Sequence, residues 1–221
     1  MKVILAAIIA ILPRKLKPFF YKVLLGYSIH PTASIGVSLI VVENCRIDEN
    51  ARIGSFNVVK DLSDFRVGEN SIIGSFNWIS GFPLSRDDYF IDSFDRIPAL
   101  MVGRHSAITS RHIIDCTDSV TIGDFSTVGG FRSQILTHAI NFERNIQTAA
   151  PVMIGSYSFL STCCVVLKGT VIGDYVVVGA NSTARGVLHS PYSLYVGAPA
   201  KRTGEFPSDA GYFLRKNGVV N

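Results

Sequence analysis

Histidine is the side chain best suited to moving a proton near neutral pH, because its ordinary pKa lies near 6.5. The chain has five, at positions 30, 105, 112, 138 and 189. His138 falls where a regular apolar pattern breaks off, at the mouth of a loop, and is a candidate for such proton transfer. Asp115 and Asp118 lie in a segment that register places beneath it. Either would orient the imidazole as a carboxylate often does, and Asp118 is grouped with His138 in the expected site; exposed turn aspartates are the plain alternative. His112 and Arg132 are candidates for contacting an acceptor, or else a stacked polar pair on the outer wall. His105 and His112 raise a metal site, but such a site needs a third histidine and a closely spaced pair, and the spacings of seven and twenty-six do not match, so no metal is expected. His30 and His189 have no motif around them. The cysteines, Cys45, Cys116, Cys163 and Cys164, form no CxxC pair and read as reduced, small core residues of a cytosolic protein. A thiol nucleophile at Cys116 is the alternative.

The scaffold that must position these groups is legible from Ile154 to Ala184. Ile154, Leu160, Val166, Ile172, Val178 and Ala184 recur every sixth residue, with small and turn-forming residues between them. An α-helix repeats at 3.6 and a strand at 2, so neither gives this pattern. Short strands joined by tight turns do, each sending one aliphatic side chain inward, as in a parallel β-helix. The same period runs through Ile29, Ile35, Val41, Ile47, Ile53 and Val59, slips, and resumes at Val67, Ile73 and Ile79. It returns at Val102, Ile108 and Ile114, slips again, and continues through Ile122, Val128 and Gln134. Ile-Gly-Ser-Phe-Asn occurs at 53–57 and again at 73–77, which stacks Phe56 beneath Phe76. Counting repeats puts Arg132 one coil above His112. Three repeats per coil give about seven coils and a prism roughly 34 Å long. Residues 80–99, with Pro83, Asp87, Asp88, Asp92 and Asp95, and residues 138–151 are excursion loops, where substrate or subunit contacts concentrate. Residues 185–203 are expected to turn away from the prism, and 206–217 to form a short closing helix.

The 221 residues suffice for one sizeable core, and 48% hydrophobic with 17% charged residues excludes a disordered chain. The net charge of +4 is matched by Arg14, Lys15, Lys17 and Lys22 alone, which indicates one basic patch near the N-terminus and no nucleic-acid surface. That patch follows the apolar run Val3 to Leu12, which is too short to span a bilayer and lacks a small-x-small cleavage site. Gly26 would end a helix there. The segment reads equally as an interfacial anchor on an anionic membrane and as a helical cap over the open end of the β-helix.

Thr137-His138, a loop, Pro151 to Gly155, then Val178-Gly179-Ala180-Asn181-Ser182 and Val196-Gly197-Ala198-Pro199-Ala200-Lys201 occur in that order. In these motifs the chain resembles the hexapeptide-repeat O-acetyltransferases of capsule, exopolysaccharide and O-antigen, and more distantly the maltose and galactoside acetyltransferases. The resemblance implies a left-handed β-helix, acetyl-CoA as co-substrate, and His138 as the base that takes the proton of an attacking hydroxyl. It carries Thr162 and Ala180 onto coenzyme-binding positions, with Ala198 in the matching C-terminal motif. Lys201 and Arg202 match a basic pair near the coenzyme's phosphates, and Thr162 would also steady the oxyanion. Two departures, Phe159-Leu160-Ser161 after the Ile-Gly turn and Ala139 after His138, lean towards an acceptor larger than a free sugar.

The expected organisation is an apolar and basic helical segment over 1–27, the β-helix over 28–203 and an extension over 204–221. The expected function is direct transfer of acetyl from acetyl-CoA to a sugar hydroxyl of a surface polysaccharide or its lipid-linked precursor. By resemblance, the protein would be a homotrimer with the coenzyme between subunits. It would be cytoplasmic, with peripheral contact to the inner membrane. An amino-sugar N-acetyltransferase, an inactive β-helix scaffold in polysaccharide assembly and a carbonic-anhydrase-like metalloenzyme are the competing readings.

Overall fold

A computed structural model of the protein describes residues 1–218 and 220, except the side chains of residues 86–88, so the expected loop aspartates Asp87 and Asp88 lie outside the described side chains. The chain winds into a three-sided prism, each turn adding one short strand to each of three parallel sheets. Sheet A has eight strands, sheet C seven, and sheet B nine including one antiparallel strand at its end. One turn shows the logic. Val152–Ile154, Phe159–Leu160 and Val165–Val166 belong to sheets A, B and C, and send Ile154, Leu160 and Val166 inward. The next turn stacks Ile172, Val178 and Ala184 directly on them. Seven turns are complete, and Val187–Leu188 with Ser193–Val196 add two sides of an eighth.

Each corner must reverse the chain within a few residues and still leave no buried polar group unpaired. Non-glycine residues take the left-handed conformation there, among them Tyr157 (φ 54°), Cys163 (57°), Tyr175 (60°) and Asn181 (58°). Hydrogen bonds to the coil below hold them, as from Tyr175 N–H to Ser156 O at 2.8 Å. Gly155 is obligatory for a different reason: a Cβ would lie 2.6 Å from the Asp174 nitrogen of the next coil. Buried hydroxyls complete the A/B corner, with Ser106, Ser126 and Ser158 N–H groups donating to Ser71, Ser106 and Ser126 Oγ at 2.9, 3.0 and 3.0 Å. The B/C corner uses Asn57, Asn77, His112 and Ser133 in the same way.

The register differs from expectation at four places. In the first coil Ile40, not Val41, points inward. In the fifth, Ile135 takes the place expected for Gln134, because the Gly129-Gly130 corner is one residue longer than its neighbours. Consequently Arg132 stands over Arg111, its N–H donating to Arg111 O at 3.0 Å, and Ser133 is the residue above His112. After Ala184 the chain continues the prism through two more strands instead of turning away. Phe56 and Phe76 stack as expected, with centroids 5.0 Å apart.

Helices α1 (Lys2–Ile11) and α2 (Lys17–Leu25) cover the first coil, burying Ala6, Ile9 and Tyr21. Pro18 is tolerated because it sits in the first turn, and Gly26 (φ 72°) ends α2. No described helix is long and apolar enough to cross a membrane. Helix α3 is only Gly211–Leu214, shorter than the expected closing helix, and its Phe213 packs on Tyr192 at 5.3 Å, beside the prism.

The register is open to test. Ile135→Ala should cost about 2–5 kcal/mol in chemical denaturation, whereas Gln134→Ala should change stability by less than about 0.5 kcal/mol. The reverse order would restore the expected register.

Candidate active site

Both excursions leave the prism at the corner between sheets C and A, and the candidate site is built on three successive coils there. The first loop departs after Ser80, the next coil presents Asp115, directly paired with Ser80, and the coil above releases the hairpin His138–Asn141 and Ile146–Ala149. His138 begins that hairpin. Its Nδ1 lies 2.7 Å from Asp115 Oδ2, and its side chain remains 31% exposed. Asp115 is partly buried among donors: Oδ2 also accepts from Thr137 N–H (2.8 Å) and His138 N–H (3.1 Å), and Oδ1 accepts from Thr117 Oγ1 (2.6 Å). Burial alone would raise the carboxyl pKa, but the bonds from His138, Thr117 and Thr137 outweigh it and hold the group below its ordinary value. An ionised carboxylate at Nδ1 keeps the ring proton there. The Nε2 lone pair is left without a partner among the described residues.

The first loop walls this imidazole. Phe82 and Phe90 meet its ring edge-to-face, with centroids at 5.5 and 6.2 Å. Buried Arg96 fastens the loop, donating to Phe82 O (2.6 Å), Pro83 O (2.9 Å) and Thr117 O (3.2 Å) while lying over the Phe90 ring. Ser93 Oγ accepts from Ala149 N–H at 3.0 Å, and Arg144 pairs with Asp92, so the two excursions hold each other. Between them Tyr89, Ile91, Ile140, Asn145, Ile146 and Gln147 line a cleft of about 320 Å³. Phe82, Phe90 and Arg96 were not expected, since a non-repeating loop gives no periodic signal. A larger cleft of about 530 Å³ lies along sheet A, but Arg46, Arg66 and Arg104 on that side are already paired with Asp48, Asp64 and Asp124.

The remaining expected residues are distributed otherwise. Asp118 does not hold the imidazole; its Oδ1 accepts from Ser119 N–H (2.7 Å) and Ile97 N–H (3.2 Å), fixing the turn. His112 is no acceptor contact, being 1% exposed on the inside of the B/C corner. Its Nδ1 accepts from Ser133 N–H (3.1 Å) and its Nε2 donates to Thr109 Oγ1 (2.9 Å). His105 stacks on Phe125 at 4.9 Å, and among the described residues no three metal-ligating side chains converge. Cys116 is fully buried, which pushes its thiol well above the ordinary range and removes it as a nucleophile.

Thr162, Ala180 and Ala198 follow one another along the B/C corner, with Asn181 N–H donating to Thr162 O at 3.0 Å. On lower coils a hydroxyl at the equivalent place covers the N–H beneath it, as Ser75 Oγ does for Ser55 (3.0 Å) and Thr162 Oγ1 for Phe131 (3.1 Å). Ala180 and Ala198 have no hydroxyl. The Thr162 and Ala180 N–H groups accordingly have no acceptor among the described residues. Arg132 lies on this same ridge, over the Phe131 ring, and is separated from His138 by the width of sheet C. Lys201 and Arg202 open the antiparallel strand Lys201–Glu205. Arg202 is committed to Ser193 Oγ (2.8 Å) and Glu205, whereas Lys201 is exposed and unpaired among the described residues.

Burial lowers the His112 pKa to about 4. The folded state therefore binds fewer protons than the unfolded state between pH 4 and 6.5, so stability is complete above 6.5 and falls with pH across that window. The loss should reach about 3 kcal/mol, read by denaturation at several pH values. His112→Asn, which installs the residue of the two coils below, should flatten the slope; an unchanged slope would place the titration elsewhere.

No protein-family model matches the chain. A probable acetyltransferase of Mycobacterium tuberculosis is 34% identical over 104 residues, which cover 46% of this chain and 34% of that relative, so the chain spans about a third of its length. Among solved structures, the polysialic acid O-acetyltransferase OatWY aligns with TM-score 0.54 and 17% identity over 81% of this chain and 84% of that one. AntD, an N-acyltransferase from Bacillus cereus crystallised with dTDP-4-amino-4,6-dideoxyglucose and coenzyme A, aligns at 0.53 and 18% over 76% and 83%. A hexapeptide-repeat acetyltransferase of Vibrio cholerae complexed with acetyl-CoA aligns at 0.50 and 20% over 63% and 69%. The chain has the left-handed parallel β-helix fold of the hexapeptide-repeat acetyltransferases.

Proposed function

We propose that the protein is an acetyl-CoA-dependent O-acetyltransferase, acting on a sugar hydroxyl of a surface polysaccharide or its lipid-linked precursor. The observation that carries this reading is the His138 imidazole, proton-bearing at Nδ1 against Asp115, partly exposed, and without a partner at Nε2 among the described residues. A sugar hydroxyl is a weak nucleophile near neutral pH. Nε2 takes its proton as the oxygen attacks the thioester carbonyl, and Asp115 stabilises the imidazolium that results. Collapse of the tetrahedral species breaks the carbon–sulfur bond, and the imidazolium proton goes to the departing thiolate. The products are the acetyl ester and free coenzyme A, and no acyl-enzyme is required.

The cleft suits a glycan ring: Tyr89 and three isoleucines supply apolar contact, and Asn145 and Gln147 supply amide donors and acceptors. The coenzyme arm is assigned to the B/C ridge, where the free N–H groups of Thr162 and Ala180 match the carbonyls of pantetheine amides and small side chains allow close approach. Ala198 continues that ridge. Lys201 is the cation left to meet a phosphate, with Arg202 shaping the strand beside it. Since ridge and base lie at opposite corners of sheet C, a complete site joins His138 of one subunit to the ridge of the next in a homotrimer. The likeness to a polysialic acid O-acetyltransferase supports a glycan acceptor.

His138→Ala should lower acetyl transfer by about 10²–10⁴-fold, while coenzyme A binding measured by calorimetry stays unchanged. Near-wild-type turnover in a folded variant would end the general-base assignment, and a wild type that binds no acetyl-CoA would favour the scaffold reading. Lys201→Ala should raise the KM for acetyl-CoA several-fold with little change in kcat, through loss of one charge-assisted phosphate contact. An unaltered KM would remove Lys201 from the coenzyme site.

A further inference from the structure

We propose that α1 and α2, besides covering the first coil, form a docking face for an anionic lipid bilayer. The capping role uses only part of each helix. Ala6, Ile9 and Ala10 of α1, and Lys17 and Tyr21 of α2, are buried. The opposite side of α1 carries Ile4, Ile8 and Ile11, exposed by 66%, 51% and 74%, at the spacing of one helical stripe. On α2, Phe19 and Val23, one turn apart, are 62% and 61% exposed. Single exposed apolar residues are ordinary, but five on the outward sides of two packed helices mark a surface made to be covered.

Charge identifies what covers it. Five cations, Lys2, Arg14, Lys15, Lys17 and Lys22, precede the first acidic residue of the chain, Glu43. Lys17 is internal: its amine donates to Ala10 O (2.7 Å) and Gly36 O (2.5 Å), clamping the end of α1 to the first coil. Lys2 donates to Val42 O. Arg14, Lys15 and Lys22 are left exposed around the apolar stripe, with no acid in the segment to neutralise them. A second copy docking face to face would press these cations against their own like. A bilayer bearing anionic phosphates accepts both features together, the apolar side chains entering the acyl boundary and the cations staying among the headgroups. Helix α1 has ten residues, about 15 Å, half of a hydrocarbon core near 30 Å thick, so it lies in the interface and does not cross.

The test is co-sedimentation of the 221-residue protein with vesicles of phosphatidylcholine alone and of phosphatidylcholine mixed with phosphatidylglycerol. Binding is expected to the mixed vesicles, weakening as salt is added, with little to phosphatidylcholine alone. Replacing Arg14, Lys15 and Lys22 together by Gln should weaken that binding roughly a hundredfold. Ile4→Ser combined with Ile8→Ser and Phe19→Ser should also abolish it. Both variants should retain the wild-type melting temperature, because all six side chains are exposed, and the wild-type rate on a water-soluble acceptor. A folded wild type that ignores phosphatidylglycerol vesicles would overturn the proposal. So would equal partition onto both vesicle types, retained binding by the serine variant, or a fall in its solution mass, which would show a second copy on this face.

Discussion

Everything in this molecule follows from one demand: each short strand must hand both of its edges to the coils above and below. A strand of two to four residues makes too few hydrogen bonds to stand alone, so the sheets exist only as stacks. The demand fixes the inward aliphatic at each side and forces left-handed backbone at the corners. It also buries polar groups there, answered by the serine line at one corner and by Asn57, Asn77, His112 and Ser133 at another. The first coil still has an edge to cover, which α1 and α2 do, and the last strand of sheet B is closed by the antiparallel Lys201–Glu205. Without such covers, open edges would template further strands.

The same demand explains where chemistry can be placed. A residue inserted within a strand breaks two sheet contacts, whereas an insertion at a corner leaves the stack intact. Both excursions use the C/A corner, on coils separated only by the one that carries Asp115. That carboxylate serves two purposes. By accepting from Thr117, Thr137 and the His138 backbone it fixes the corner, and by accepting from Nδ1 it fixes the imidazole. The position of the ring is therefore set by rigid coils, with loops contributing only its walls.

The fold was legible because the period of six has a single geometric cause, and each aliphatic reports on it independently. Legibility failed where coil length changed. Leu39 to Val42 are all apolar, so pattern alone could not choose Ile40 over Val41, and the extra residue at Gly129-Gly130 moved the inward position from Gln134 to Ile135. That single displacement also misplaced Arg132 relative to His112. Of two nearby aspartates, the sequence could not tell which faced His138, because the answer depends on the corner Asp115 ends and the turn Asp118 caps. Phe82, Phe90 and Arg96 were invisible for a different reason: their contacts arise from a loop folding back over the prism, and nothing in their spacing encodes it.

A transfer site on this fold has a geometric consequence. Within one chain His138 stands at one edge of sheet C, and the free N–H groups of Thr162 and Ala180 stand at the other. A strand rises about 3.3 Å per residue, so two or three residues and the flanking turns separate the edges by roughly 10 Å. The base must come within about 3 Å of the attacking hydroxyl, and that oxygen must in turn reach the thioester carbonyl of a coenzyme whose arm lies on the ridge. Within a stack of hydrogen-bonded coils the two corners of one chain stay on opposite sides of sheet C. Apposing the C/A corner of one copy to the B/C corner of another would bring base and ridge together without altering either. In the proposed homotrimer each prism would supply two rigid half-sites, and the active centre would form where the half-sites of two copies meet.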